Sequence, residues 1–236
     1  MSGDLLLAFR RVVHLPTNTV VGWRVTRVDA PSEPHLRTPY FRRLADELTE
    51  TLLRTDGGRR SLRFMAVEAD VDEAGELADH LGRVVEDHGL PGPRFGMVFP
   101  GTDVVALPEF HPQLRRLVDL DIGVGFCDPD MTLARQAIVD RLPITRLRLH
   151  AVHACIREEA RMTELIALAR RHGITTTVTG IETLDQERIA RRAGADMGTG
   201  DHLGGWTDVP EVEVSHASAL DAVQRVTGRD APTWPD

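Results

Sequence analysis

The stretch ALARRHGITTTVTGIETLDQERIARRAGADMGTG, Ala167–Gly200, decides the fold of this chain. Leu165, Ile166, Leu168 and Ala169 share one face of a helix over 156–171, and Gly173 closes it. Ile174–Val178 is β-branched throughout and reads as a strand. Thr183-Leu-Asp-Gln186 is a capping box, in which the threonine hydroxyl and the glutamine amide each satisfy a backbone N–H that the helix leaves orphaned. The helix opened there stops at Gly194, and Ala195–Thr199 is a further short strand. Strands joined by helices in this way run parallel, because the helix carries the chain back to start the next strand in the same direction.

The same alternation extends upstream. Strands are expected at Leu62–Val67, Phe95–Phe99, Ile122–Phe126 and Ile144–Leu149, with helices at Glu73–Asp87, Gln113–Asp119 and Leu133–Arg141 between them. Phe41, Leu44, Ala45, Leu48 and Leu52 recur at helical spacing, and Gly57-Gly58 ends that helix. Before it, Leu5–Leu15, the turn Pro16-Thr17-Asn18, and Val20, Val21, Trp23 and Val25 form a hairpin. Ser215–Val226 reads as a last helix. The periodicity admits either a (β/α)8-like barrel or a doubly wound sheet. With 236 residues and no linker or repeat, one domain over 1–228 is expected, with 229–236 as a frayed tail.

Composition narrows the function. The net charge is −8 with a pI near 5.7, which disfavours nucleic acid as a partner. All 28 basic residues are arginine, so no chemistry that needs a titratable ammonium is available. Cys127 and Cys155 lack the spacing of a disulfide framework or a zinc knuckle. MSGDLLLAFRR is not a signal peptide, and no apolar run approaches the roughly 20 residues that span a bilayer, so a cytoplasmic protein without membrane contact is expected.

Six segments stand in a fixed order: VVGWRV at 20–25, GVGFCD at 123–128, LPITRLRLH at 142–150, ALARRHGI at 167–174, TGIET at 179–183 and AGADMGTG at 193–200. In order and spacing they resemble the EAL domain of cyclic-di-GMP phosphodiesterases over roughly 5–207, the second half more closely than the first. The segment before Leu62 is shorter than the family's, so at least one helix there is expected to be missing or reduced. The resemblance implies a modified TIM (β/α)8 barrel whose first strand is antiparallel.

It also implies a chemistry in which two Mg²⁺ or Mn²⁺ ions, held by carboxylates at the strand ends, activate the water that opens cyclic di-GMP. Carried over residue by residue, the family's ligand positions are substituted here. The signature Glu corresponds to Arg24, the Asn of the next strand to Ala66, and the first Glu of the following strand to Met97. The first Asp of the Asp-Asp pair is Cys127, the Lys is Arg148, the first Glu of the next motif is Thr179, and the final Gln is Thr199. Asp128 and Glu182 remain as a remnant of the family site. The expectation is a catalytically inactive EAL-like module with no bound metal or cofactor, regulatory through an unidentified protein partner.

The alternative is a receptor. Arg10, Arg24, Arg27 and Arg148 could line the barrel mouth and hold the phosphates of cyclic di-GMP or another phosphorylated ligand without turnover. An active phosphodiesterase is the third and weakest reading. The shortened segment 29–61, with its helix over 39–54, is where a partner or a second copy of the chain is expected to dock.

Several residues have plainer roles. His150, His153 and Cys155 read as surface histidines and a buried thiol rather than a metal site. Asp128 or Asp130 is expected to cap the next helix, and the Glu182 carboxylate to brace its loop by accepting backbone N–H groups. Gly200–Gly205 reads as a plain loop, with Trp206, Trp234 and Tyr40 as isolated loop aromatics.

Overall fold

The computed structural model describes residues 7–27, 43–51, 64–68, 71–88, 95–128, 131–155 and 157–207. The N-terminal hairpin consists of β1 (Leu7–His14) and β2 (Thr19–Arg27), paired antiparallel around a turn in which Asn18 takes a left-handed conformation. Parallel pairing continues from β2 through β3 (Phe64–Glu68), β4 (Phe95–Pro100), β5 (Gly123–Asp128), β6 (Arg146–His150), β7 (Thr175–Thr179) and β8 (Met197–Thr199). The last of these returns to β1 antiparallel, with Val13 opposite Gly198, so eight strands close into a barrel. Closure excludes the doubly wound sheet, and the antiparallel first strand is the one that the resemblance implied. A two-residue strand, β9 (Trp206–Thr207), takes the remaining part of the same β1 edge at Phe9 and Arg10.

Helices cover the outside: α1 over 43–51, α2 (Val71–His88), α3 (Gly101–Ala106), α4 (His111–Asp119), α5 (Thr132–Val139), α6 (Glu159–Arg171) and α7 (Leu184–Arg192). The capping box is present with both reciprocal bonds, and Gly173 and Gly194 close α6 and α7 at φ 71° and 83°. The N-cap position of α5 is Met131, which makes no side-chain capping bond, and not the expected Asp128 or Asp130. Helix α6 starts at Glu159, after a 3-10 turn over Ala151–His153 in which the Val152 N–H donates to His150 Nδ1. The helix expected at Ser215–Val226, the tail 229–236, Tyr40, Trp234 and most of 29–61 lie outside the described residues. No helix among the described residues is long and apolar enough to cross a membrane.

Strand alternation separates two apolar layers. Outward-facing Trp23, Val25, Phe95, Met97, Phe99, Val124, Phe126, Leu147, Leu149 and Val178 join the helices in one continuous core with Leu44, Leu48, Leu81, Leu114, Ile138, Leu165 and Ile166. Each such side chain removed from water stabilises the fold by about 1.5–3 kcal/mol, so this layer holds the barrel together. The interior cluster is smaller: Val12, Val21, Ala66, Val98 and Met197, with Cys127 packed against it.

The rest of the interior is polar. Arg146, at the start of β6, lies across the neighbouring strands, where a Cβ at Gly123 would come within 2.6 Å of its Nε and one at Gly96 within 3.2 Å of Nη1. Two glycines therefore make room for one guanidinium at the N-terminal end of the barrel. Desolvation, with a smaller contribution from Arg148, pushes the Arg146 pKa down to about 10, so the group stays cationic at neutral pH. Arg148 is also buried, two residues further along β6.

Candidate functional site: an arginine and tryptophan cluster at the barrel mouth

In parallel α/β barrels the C-terminal ends of the strands, and the connections that follow them, form the face that carries sites. On this face three side chains are brought together by pairing alone. Arg10 on β1 is the direct cross-strand partner of Arg24 on β2 and of Trp206 on β9. The guanidinium carbon of Arg10 lies 4.4 Å from the centroid of the Trp206 ring, and that of Arg24 lies 5.5 Å away. Like charges directly opposite each other on a sheet repel. The negative face of the shared indole offsets part of that repulsion.

A carboxylate completes the cluster. Arg10 Nη2 donates to Asp201 Oδ1 at 2.7 Å, in a pair whose arginine side chain is 10% exposed and whose aspartate is 65% exposed. Burial lowers the Arg10 pKa, Asp201 opposes that shift, Arg24 adds to it, and Glu182 opposes it more weakly. Arg10 Nε is buried and has no hydrogen-bond partner among the described residues, and the same holds for Thr199 Oγ1.

The backbone of this face is held from below. A Cβ at Gly200 would sit 2.2 Å from both the N and the O of Ile181, so only glycine allows this approach. Ile181 N–H donates to the Thr199 carbonyl, and His202 N–H donates to the Ile181 carbonyl. A 3-10 turn over Asp201–Leu203 follows, with His202 Nε2 2.9 Å from Glu187 Oε2 on α7. Glu187 also pairs with Arg191, which reaches Asn18 of the β1–β2 turn. At the opposite, N-terminal end of β8, Asp196 Oδ2 accepts from the Thr176 N–H and hydroxyl.

The residues singled out in the sequence are distributed as follows. Arg24 and Ala66 are direct neighbours on β2 and β3, Cys127 and Arg148 on β5 and β6, and Thr179 and Thr199 on β7 and β8. Thr179 Oγ1 donates to the Leu149 carbonyl. Met97 is not in the barrel interior: it faces the helices with Phe95 and Phe99, and Val98 is the inward residue of that part of β4. Asp128 ends β5, and Arg27 ends β2 opposite Leu7. Glu182 is exposed, and its carboxylate does not brace the loop. Gln186 Oε1 does so, accepting from the Glu182 and Thr183 N–H groups. Cys155 is exposed rather than buried. Trp206, read as an isolated loop aromatic, is a strand residue under two guanidiniums. Among the described residues no group of three or more His, Cys, Asp or Glu converges as a metal cluster would.

A closed eight-stranded α/β barrel with one antiparallel strand and a cationic, aromatic mouth is the class that fold and site define. Its fold is of the EAL type: the Xanthomonas citri FimX EAL domain in complex with c-diGMP superposes with a TM-score of 0.75 at 17% identity, covering 89% of this chain and 90% of that one. The EAL domain of Mycobacterium smegmatis DcpA gives 0.71 at 17% identity, covering 86% and 93%. The cGMP-bound EAL enzyme Bd1971 gives 0.70 at 15% identity, with 87% of this chain matched but only 62% of that longer one. No family model matches the sequence. No curated protein matches it either.

Proposed function

We propose that this chain is a non-hydrolysing EAL-type domain that acts as a regulatory module. One observation carries the reading: Arg24, at the place of the signature glutamate, shares the Trp206 ring with Arg10, so a fixed cationic pair stands where a carboxylate would have to hold a divalent ion. Mg²⁺ and Mn²⁺ require hard oxygen ligands, and two adjacent guanidiniums repel them. The remnants Asp128 and Glu182 come from separate strand ends, and no lysine exists to serve the Lys position, which Arg148 fills. The residues present do not fit a two-metal site. If Val98 rather than Met97 stands at the third ligand position, the reading is unchanged, since both are apolar.

The regulatory contact is proposed to be with a protein, in the cytoplasm. Val152, Leu184 and Trp206 are 60%, 46% and 40% exposed, on the segments that follow β6, β7 and β8. They sit along one rim of the mouth face, where exposed apolar side chains favour a partner or a second copy of the chain.

A second reading, a receptor for cyclic di-GMP or another phosphorylated ligand, is favoured by the same cluster. Two guanidiniums match phosphate oxygens, and an indole offers a face to a planar base. Calorimetry with cyclic di-GMP, with and without Mg²⁺ or Mn²⁺, followed by chromatography for the linear product, tests both readings. Neither heat nor product is expected of a protein-contact module, and heat without product of a receptor. Linear product formed with turnover would overturn the non-hydrolysing assignment.

A further inference from the structure

We propose that the segment Gly200–Thr207 is an internal pseudo-ligand, which occupies the arginine mouth and which an anionic ligand must displace. The proposal rests on the receptor reading of the mouth and adds to it a built-in competitor. Asp201 presents a carboxylate to Arg10 Nη2 at 2.7 Å, the contact a phosphate oxygen would make. Five residues on, Trp206 lies against both guanidiniums, at 4.4 and 5.5 Å. One segment thus supplies an anion and a planar ring together, the two features of a nucleotide.

The construction of the segment suits reversible seating. Its root is fixed by the Gly200–Ile181 approach and by His202 on Glu187. Its outer part, among the described residues, is a two-residue strand that pairs with Phe9 and Arg10. Gly204, at φ 135°, and Gly205 precede that strand. Glycines there give the backbone the freedom to leave and return. The Asp201 side chain is 65% exposed, so its exchange for another anion requires a rotamer change and no unfolding. Arg10 is 8% exposed and its buried Nε has no partner among the described residues, so a ligand with several oxygens would satisfy a donor that Asp201 leaves unmet.

A competitor seated about nine-tenths of the time lowers the apparent affinity about tenfold. The test uses the full chain labelled with 5-fluorotryptophan and titrated separately with cyclic di-GMP and inorganic pyrophosphate, the Trp206 fluorine resonance being assigned with Trp206→Phe. Asp201→Asn, an exposed and near-isosteric change, is expected to bind at least one probe about tenfold more tightly than the parent. Its Trp206 resonance without ligand is expected to lie nearer the ligand-bound position, and Arg10→Ala to lose binding. If the parent binds and Asp201→Asn binds equally or more weakly, the pseudo-ligand is refuted while the receptor survives. If neither protein binds either probe, both fail.

Discussion

Gly200 and Ile181 are in backbone contact, and any side chain at position 200 would collide with the main chain of 181 at 2.2 Å. The obstacle is backbone rather than a movable side-chain tip, so it cannot be relieved locally. Gly200→Ala is expected to destabilise the barrel by about 2–4 kcal/mol, read from urea denaturation. Gly205→Ala, where a Cβ meets nothing within 4 Å, is the control and should shift stability by less than about 1 kcal/mol.

Thr199 should behave in the opposite sense. Its hydroxyl is buried without a partner among the described residues, and an unsatisfied buried polar group costs about 1–3 kcal/mol. Thr199→Val keeps the shape and removes that cost, so its midpoint of denaturation is expected to rise. A fall would show that the hydroxyl is satisfied.

The capping box at Thr183 and Gln186 is complete, and Gln186 Oε1 also accepts from Glu182 N–H. Thr183→Ala is expected to cost about 1 kcal/mol, and Gln186→Ala somewhat more, because it frees two N–H groups rather than one. Thermal melts of the two single variants and the double variant measure the coupling.

Glu159 is held below the usual carboxylate range chiefly by its hydrogen bond to Arg192, which links α6 to α7 through two contacts at 2.9 and 3.0 Å. Because the folded-state pKa is depressed, the contribution of the pair is present above the unfolded value and is lost as pH falls through the folded one. In a proton titration followed by NMR, Arg192→Gln should return Glu159 towards the ordinary range. An unchanged titration midpoint would refute the assignment.

Much of the barrel was legible because its signals are local. The Thr183 box, the glycines at 173 and 194 and the apolar faces of the helices act within a few residues of themselves. The antiparallel first strand came from the family resemblance, not from periodicity. The phase of β4 was not legible: residues 95–99 are buried on both faces, so the sequence FGMVF carries no alternation, and Met97 was placed one position away from the inward Val98. In β6 the signal existed. Arg-Leu-Arg-Leu-His alternates strictly and so puts Arg146 on the same face as Arg148, yet only Arg148 was singled out.

Trp206 escaped for a different reason. A two-residue strand leaves no period to read, and β9 exists only because β1 offers the remaining part of an edge. The Asp201 partnership with Arg10 spans a sequence separation of 191 and has no local trace at all. The aspartate cap read from the sequence is not the N-cap of α5, a position that Met131 takes in a left-handed conformation.

The use of β1 on both sides has a consequence for how the protein is made. One edge of that strand pairs at once with β2, whereas the other, among the described residues, accepts Met197, Gly198, Trp206 and Thr207. During synthesis the first strand therefore emerges with half of its hydrogen bonds unmet and stays so until almost the whole barrel has followed. Closing so long a loop is entropically costly and slow, and an unpaired edge recruits other strands meanwhile. Yield from a cell should thus depend on translation speed and chaperone supply more steeply than the stability of the finished ring would suggest.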